Sequence, residues 1–169
     1  MIYKFYIILK FLLINSIVFL LVSCYSFTGG SVPEHLKTLY IANVTDNSGF
    51  GNPTYKNTFM DAIIENFQRD GSFNLINSGG DARLNISISS IREAPVAVNP
   101  GELETDRKVT VSVDVEYYDF IKRKQIWKNT FSGYETYPVS NAQQGRDNAI
   151  QTALNNISND ILLKVVSGW

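Results

Sequence analysis

Hydrophobic and polar positions repeat with two different periods along this chain. A period of about four residues marks one stretch, whose apolar members are Tyr55, Phe59, Ile63 and Phe67. This spacing places them on one side of an α-helix. Asn52 and Pro53 suit its N-cap and first turn, and Gly71 is a typical helix end. The pattern predicts an amphipathic helix whose stripe packs into the core.

A second stripe of helical period lies further along the chain. Its apolar members are Ile150, Ala153, Leu154, Ile157, Ile161 and Val165. Asn, Gln, Asp and Ser fill the outer face. Ser140 followed three residues later by Gln143 matches a capping box, which predicts where this helix begins, and Gly168 would end it. The sequence therefore predicts a second, longer amphipathic helix.

Alternation with a period of two predicts the strands. In the clearest case, four valines and Tyr117 occupy every second position, and Thr, Ser, Asp and Glu occupy the others. A turn at residues 122–124 follows, so the two flanking strands form an antiparallel hairpin with Trp127 and Phe131 towards the core. The predicted strands are residues 37–44, 73–76, 82–92, 109–117 and 125–134, with loops at 45–52 and 93–105.

The predicted elements follow the order β-α-β-β-β-β-α. Two amphipathic helices can both cover one face of a largely antiparallel sheet, because each helix has one apolar stripe to bury. We therefore expect a two-layer α+β domain. The opposite sheet face would carry Thr, Ser, Asn, Asp and Glu side chains and meet water.

The first 23 residues have the pattern of a secretory signal. Lys4 and Lys10 supply positive charge, and an uncharged apolar run of about a dozen residues follows. A membrane-spanning helix needs about 20 apolar residues, so a retained span would have to include the stretch that the two lysines interrupt. We divide the chain into a signal peptide at residues 1–23, a lipidated cysteine with a flexible tether at 24–36, and one folded domain at 37–169.

The end of the apolar run, Leu21-Val22-Ser23-Cys24, resembles the lipobox of bacterial lipoproteins. The thiol of Cys24 would take a diacylglycerol through a thioether, and its freed amine would then accept an acyl chain such as palmitate. Several acyl chains on one residue hold a protein stably on a membrane. A plain signal peptide with a chance cysteine is the alternative. Cys24 is the only cysteine, so no disulfide is expected.

Charge and residue inventory argue against nucleic-acid binding and catalysis. The chain has 15 basic and 16 acidic residues and no basic stripe. Its one histidine, His35, lacks the Cys or His partners of a zinc site, and a catalytic triad would have to be built on a residue of the tether. Asp114 and Glu116 share a strand face, where a solvated surface is favoured over general acid–base chemistry. We predict a protein that is not an enzyme and uses no metal or cofactor.

One concentrated charge feature remains in the predicted hairpin. Lys122, Arg123 and Lys124 either form a solvated turn or bind the phosphate groups of lipid or glycolipid. Arg92, Arg107 and Lys108 flank the neighbouring loop and would join this cluster if the fold brings them together.

Several stretches of the chain resemble LptE-like lipoproteins, which assemble lipopolysaccharide in the outer membrane. The first is Cys24-Tyr25-Ser26-Phe27-Thr28-Gly29-Gly30-Ser31, continued by Pro33, His35 and Lys37-Thr38. The others are Arg69-Asp70-Gly71 before a short strand, Val109 to Tyr117 with Trp127 and Phe131-Ser132-Gly133-Tyr134, and Ser167-Gly168-Trp169. Their number and order carry the resemblance.

The resemblance implies a non-enzymatic protein anchored by lipid to the outer membrane and facing the periplasm. LptE-like proteins plug the lumen of the LptD β-barrel, help it to assemble and assist the passage of lipopolysaccharide to the outer leaflet. For contact with lipopolysaccharide, the candidates are Lys122, Arg123, Lys124, Arg92, Arg107 and Lys108. The alternative is a lipid-anchored envelope domain that binds glycan or organises a different secretion or adhesion complex.

Overall fold

The computed structural model describes residues 32–96 and 103–167, together with Tyr3. The lipidation site at Cys24, the predicted helix end at Gly168 and the predicted signal peptide, apart from Tyr3, lie outside the described residues. The strands are β1 (Thr38–Ile41), β2 (Thr45–Asp46), β3 (Asn74–Ile76), β4 (Ala82–Pro95), β5 (Asp106–Asp119) and β6 (Lys124–Pro138). The helices are α1 (Pro53–Asp70) and α2 (Ala142–Ser167).

In the described residues, one six-stranded sheet contains all the strands, in the order β3-β1-β4-β5-β6, with β2 paired to β4. The long strands β4, β5 and β6 are antiparallel, whereas the pairs β1–β3, β1–β4 and β2–β4 are parallel. The α+β class with two helices is therefore confirmed. The pair β1–β3 is parallel because α1 lies between these strands in the chain and returns it so that β3 runs in the same direction as β1.

The predicted apolar positions meet in one core between the helices and the sheet. All four predicted stripe residues of α1 and all six of α2 are buried. The alternating residues of β5 are also buried, from Val109 to Tyr117, each at 0% exposure. Trp127 and Phe131 pack against this core, as predicted.

The ends of α1 form as the sequence predicts. Asn52 Oδ1 accepts a hydrogen bond from the amide of Thr54 at 3.0 Å, and Pro53 is the first helical residue. Gly71 adopts φ 73°, a left-handed conformation that favours glycine, and its amide donates to the carbonyl of Phe67. Both helix ends thus have local hydrogen-bond partners.

The two helices run parallel and are linked by side-chain hydrogen bonds at two levels. Tyr55 Oη donates to Asp147 Oδ1 at 2.5 Å, and Asn66 Nδ2 donates to Ser158 Oγ at 2.7 Å. Both pairs are 92 residues apart in sequence, so the helices advance together in one direction. Burial and the hydrogen bond to Asp147 raise the pKa of Tyr55.

Two predicted loops contain strand residues instead. Glu93 to Pro95 continue β4, because they pair with the start of β5. Thr45 and Asp46 form β2, because they pair with Ser87 and Ile88 of β4.

The predicted start of the second helix also differs. A 3-10 turn at Val139–Asn141 precedes α2, and Ser140 lies within this turn. The side chain of Asn141 hydrogen-bonds Gln144 instead, with Nδ2 donating to Oε1 at 3.3 Å. The pattern of Ser140 and Gln143 therefore located the helix start to within a turn but assigned the wrong residues.

Candidate functional site

The turn between β5 and β6 carries the predicted basic cluster. Asp119 and Lys124 are the last paired residues of this hairpin, and we refer to Phe120–Lys124 as the hairpin tip. Lys122, Arg123 and Lys124 are all exposed, and none of them forms a salt bridge with another described residue. The hairpin tip therefore presents three cationic groups to solvent.

Two large apolar side chains share the hairpin tip with these cations. The exposed fraction is 44% for Phe120 and 58% for Ile121. The ring of Phe120 packs edge-on against Tyr118, with the centroids 5.1 Å apart. The charge pattern did not predict this apolar half; the sequence signal for it is Phe120-Ile121 placed directly before the three basic residues. Exposed apolar groups beside cations match an amphiphile that carries phosphate and acyl chains.

The carboxylate of Asp119 fixes the hairpin tip from inside. It is 2% exposed and accepts hydrogen bonds from the Lys122 amide and from His35 Nε2, each at 2.7 Å. Burial by itself would raise the pKa of Asp119, but the two hydrogen bonds and the electrostatic attraction to His35 and Lys122 together outweigh burial and hold the pKa below its ordinary value. An ionised carboxylate therefore closes the turn and joins it to His35.

His35 is part of the folded domain. Leu36 next to it is 2% exposed, and Val32 packs against the core. The amides of Lys37 and Thr38 donate to Asp81 Oδ2 at 3.0 and 2.9 Å, which holds the following residues in place. The expectation of a flexible tether is thus wrong for residues 32–36, because apolar burial and hydrogen bonds fasten them beside the hairpin tip.

Arg92, Arg107 and Lys108 do not join the hairpin tip. Arg107 and Asp119 lie at opposite ends of β5, twelve residues apart, which at strand spacing is about 40 Å. The sequence left open whether the two basic groups meet in space, and the length of β5 keeps them apart. They flank opposite ends of the same strand.

The distal basic group, which comprises Arg92, Arg107 and Lys108, is only partly available for ligands. Arg107 Nε lies 2.7 Å from Glu104 Oε1, and its Nη1 lies 3.6 Å from Glu93 Oε2. Lys108 Nζ lies over the ring of Tyr134, 5.4 Å from its centroid. Arg107 therefore serves first as a partner of carboxylates, whereas Arg92 and Lys108 remain exposed.

The side of the sheet away from the helices is polar, as the alternation predicts. We term it the polar sheet face; its members are Asn85, Ser87, Thr110, Ser112, Asp114, Glu116, Lys128, Thr130, Ser132 and Tyr134. Thr130 Oγ1 donates to Asp114 Oδ1 at 2.7 Å, and Asn85 Nδ2 donates to Glu116 Oε2 at 2.9 Å. Short side chains thus hydrogen-bond to each other across neighbouring strands.

This arrangement supports the interpretation of Asp114 and Glu116 as members of a hydrated surface. Each carboxylate accepts from a neutral side chain and lies on an open strand face. No group of three His, Cys, Asp or Glu side chains within residues 32–96 and 103–167 is placed to hold a metal ion. Neither α1 nor α2 is long and apolar enough to cross a membrane.

The family model for the lipopolysaccharide-assembly protein LptE matches residues 36–165, from the buried Leu36 to the buried Val165. The chain belongs to the LptE family. The match includes every strand of the described sheet, all of α1 and nearly all of α2. The resemblance inferred from short sequence stretches is therefore confirmed over the folded domain. No curated protein matches the sequence.

Several solved structures, among them two lipoproteins, share the fold of this LptE-family chain. Lipoprotein B from Nitrosomonas europaea gives a TM-score of 0.58 at 10% identity, covering 86% of this chain and 90% of that chain. The minor lipoprotein from Acinetobacter baumannii gives 0.53 at 13% identity, covering 77% and 92%. A hypothetical protein from Chlamydia trachomatis gives 0.58 at 8% identity, covering 77% and 95%. At these identities the likeness establishes the fold.

Proposed function

We propose that this LptE-family chain is a non-enzymatic lipoprotein of the outer membrane, anchored through lipid on Cys24 and facing the periplasm. In that position it plugs the lumen of an LptD-type β-barrel, helps the barrel to assemble and assists transport of lipopolysaccharide to the outer leaflet. The family match over residues 36–165 carries this proposal.

The polar sheet face supports a position inside a barrel. The lumen of a transmembrane β-barrel is polar, so a plug needs a polar exterior. Both helices cover the apolar side of the sheet and leave the polar sheet face outward. Its hydrogen-bonded side chains, such as Thr130 with Asp114, form a surface that can exchange water contacts for contacts with a polar wall.

Two separate basic surfaces are the candidates for contact with lipopolysaccharide. The hairpin tip offers Lys122, Arg123 and Lys124 beside exposed apolar side chains. The distal basic group offers Arg92 and Lys108. Lysine and arginine bind phosphate through charge-assisted hydrogen bonds, and lipopolysaccharide carries phosphate. Because about 40 Å separates the two surfaces, each can be tested without altering the other.

Copurification tests the plug role. The full chain carries a C-terminal tag, native envelope is extracted in mild detergent, and the recovered proteins are identified by mass spectrometry. We expect a large outer-membrane β-barrel in near-equal amount. Recovery of a monomer, or of other envelope components without a barrel, would rule out the plug role.

Charge reversal tests the lipopolysaccharide contacts. Glutamate at Lys122, Arg123 and Lys124 together should weaken retention of lipopolysaccharide by the purified full chain, whereas recovery of the barrel should persist. In a second variant, glutamate replaces Arg92 and Lys108, which tests the distal basic group in the same way. Lys56→Glu, on the exposed side of α1, is the matched control and should bind as the unchanged chain does. Equal binding of lipopolysaccharide by all variants would show that neither basic surface contacts it.

A further inference from the structure

We propose that the hairpin tip rests on the membrane leaflet that holds the lipid anchor, with Phe120 and Ile121 in the interfacial region and the basic side chains on anionic phospholipid headgroups. The proposal rests on the proposed function in one respect, which is that Cys24 carries the lipid. It does not depend on a barrel.

The contact between His35 and Asp119 brings the segment that follows the anchor to the base of the hairpin tip. Cys24 precedes Val32 by eight residues, a distance that an extended chain spans in at most about 28 Å. Val32 packs against the core, and His35 three residues later hydrogen-bonds Asp119 at the base of the hairpin tip. The hairpin tip is therefore within reach of the anchored leaflet, whereas the distal basic group lies about 40 Å further along β5.

The composition of the hairpin tip fits the surface of a bilayer. The apolar residues of β5 from Val109 to Tyr117 are fully buried, but Phe120 and Ile121 beyond the strand end are 44% and 58% exposed. Apolar side chains of interfacial segments enter the boundary between headgroups and acyl chains. The adjoining lysines and arginine would lie at headgroup level, where anionic lipids attract them.

The hairpin tip is also preformed, so docking requires little ordering of the chain. The buried carboxylate of Asp119 accepts from the Lys122 amide at one oxygen and from His35 at the other. These bonds hold the turn in one conformation before any lipid is bound. A surface that is already ordered loses less conformational entropy on binding.

A single fluorescent probe can report whether the hairpin tip touches lipid. Cys24 is the only cysteine, and in the mature lipoprotein its sulfur would be a thioether, so Ile121→Cys supplies the one reactive thiol. The full lipidated chain with an environment-sensitive dye at residue 121 is reconstituted into phosphatidylethanolamine vesicles with phosphatidylglycerol. Spin-labelled lipids then quench any dye that lies in the interface. Thr136→Cys, exposed near the other end of β6, is the matched control.

We expect blue-shifted emission and strong quenching at residue 121 and neither at residue 136. Glutamine at Lys122, Arg123 and Lys124, or vesicles without phosphatidylglycerol, should reduce the quenching at residue 121. An unquenched, water-exposed dye at residue 121 in anionic vesicles would overturn the proposal. If the dye at residue 121 is blue-shifted and quenched only in vesicles that contain lipopolysaccharide, the proposal is also overturned. The hairpin tip would then bind that lipid instead.

Failure of this proposal can be told apart from failure of the proposed function. The mass of the N-terminal peptide reports whether Cys24 carries lipid, and copurification reports the barrel. A chain that is lipidated and bound to a barrel, with a water-exposed dye at residue 121, would contradict only the docking of the hairpin tip.

Discussion

His35 Nε2 lies 2.7 Å from Asp119 Oδ2, and this contact joins the segment before β1 to the turn between β5 and β6 across 84 residues of sequence. Asp119 is 2% exposed, so water cannot readily replace a lost partner. The pair therefore fastens the start of the folded domain to the hairpin tip, and its strength can be measured.

Replacing His35 by alanine should lower the free energy of unfolding by about 1–2 kcal/mol, because a buried carboxylate loses one of its two hydrogen bonds. Urea unfolding of the purified full chain in mild detergent measures this change. Glu34→Ala removes the exposed neighbouring side chain and should leave stability unchanged. Equal losses in the two variants would show that the segment, and not the contact with Asp119, is responsible.

Acid should weaken the fold through Asp119. Its pKa lies below the ordinary value of 3.8, because the hydrogen bonds from Lys122 and His35 and the electrostatic attraction to these residues together outweigh the effect of burial. The unfolded chain therefore takes up this proton at a higher pH than the folded chain. The stability contributed by Asp119 is present above about pH 4 and is lost as the pH falls through the lowered folded pKa.

Thermal unfolding from neutral pH to about pH 2.5 tests this dependence. Asp119→Asn should be less stable at neutral pH and should lose less stability on acidification than the unchanged chain. Asp61→Asn, at an exposed position of α1, should keep the original acid loss. If Asp119→Asn retains the full acid loss, other carboxylates determine it.

Periodicity predicted the layers of this fold because one side of nearly every long element is buried. The valines from Val109 to Val115 are each at 0% exposure, and the stripe of α1 is buried at all four predicted positions. The capping residues Asn52 and Gly71 predicted the ends of α1 equally well, because their hydrogen bonds lie within the same segment. Such features depend on neighbours that the sequence itself places nearby.

Hydrophobic periodicity could not predict contacts between segments that are distant in the sequence. Nothing in the sequence near His35 or Asp119 indicates that the two side chains meet, and β2 pairs with β4 about 40 residues later in the chain. The separation of the two basic groups, in contrast, could have been predicted, because it follows from the predicted hairpin. A strand that carries Arg107 at one end cannot bring it to a turn about 40 Å away.

Gly133→Val should lower the free energy of unfolding by about 1–3 kcal/mol. A Cβ atom at residue 133 would lie 3.3 Å from the carbonyl oxygen of Ala153 and 3.3 Å from Ile157 Cγ1. The oxygen belongs to the backbone of α2, so the helix would have to move away from β6. Ser132→Val, on the polar side of the same strand, is the control and should change stability little. Comparable losses from both valines would contradict close helix–strand packing as the cause.

Arg123→Gly should raise the free energy of unfolding by about 0.5–1 kcal/mol. Among the described residues, Arg123 is the one residue other than glycine with positive φ, at 51°. The left-handed conformation costs a residue with a side chain about 1–2 kcal/mol, and glycine avoids that cost although its unfolded chain is more flexible. Lys122→Gly, in the same turn without positive φ, should instead lose stability. If Arg123→Gly stabilises the protein and also weakens quenching of the dye at residue 121, the arginine contributes to docking although it destabilises the turn. If Arg123→Gly and Lys122→Gly both destabilise the protein, strain at Arg123 is contradicted.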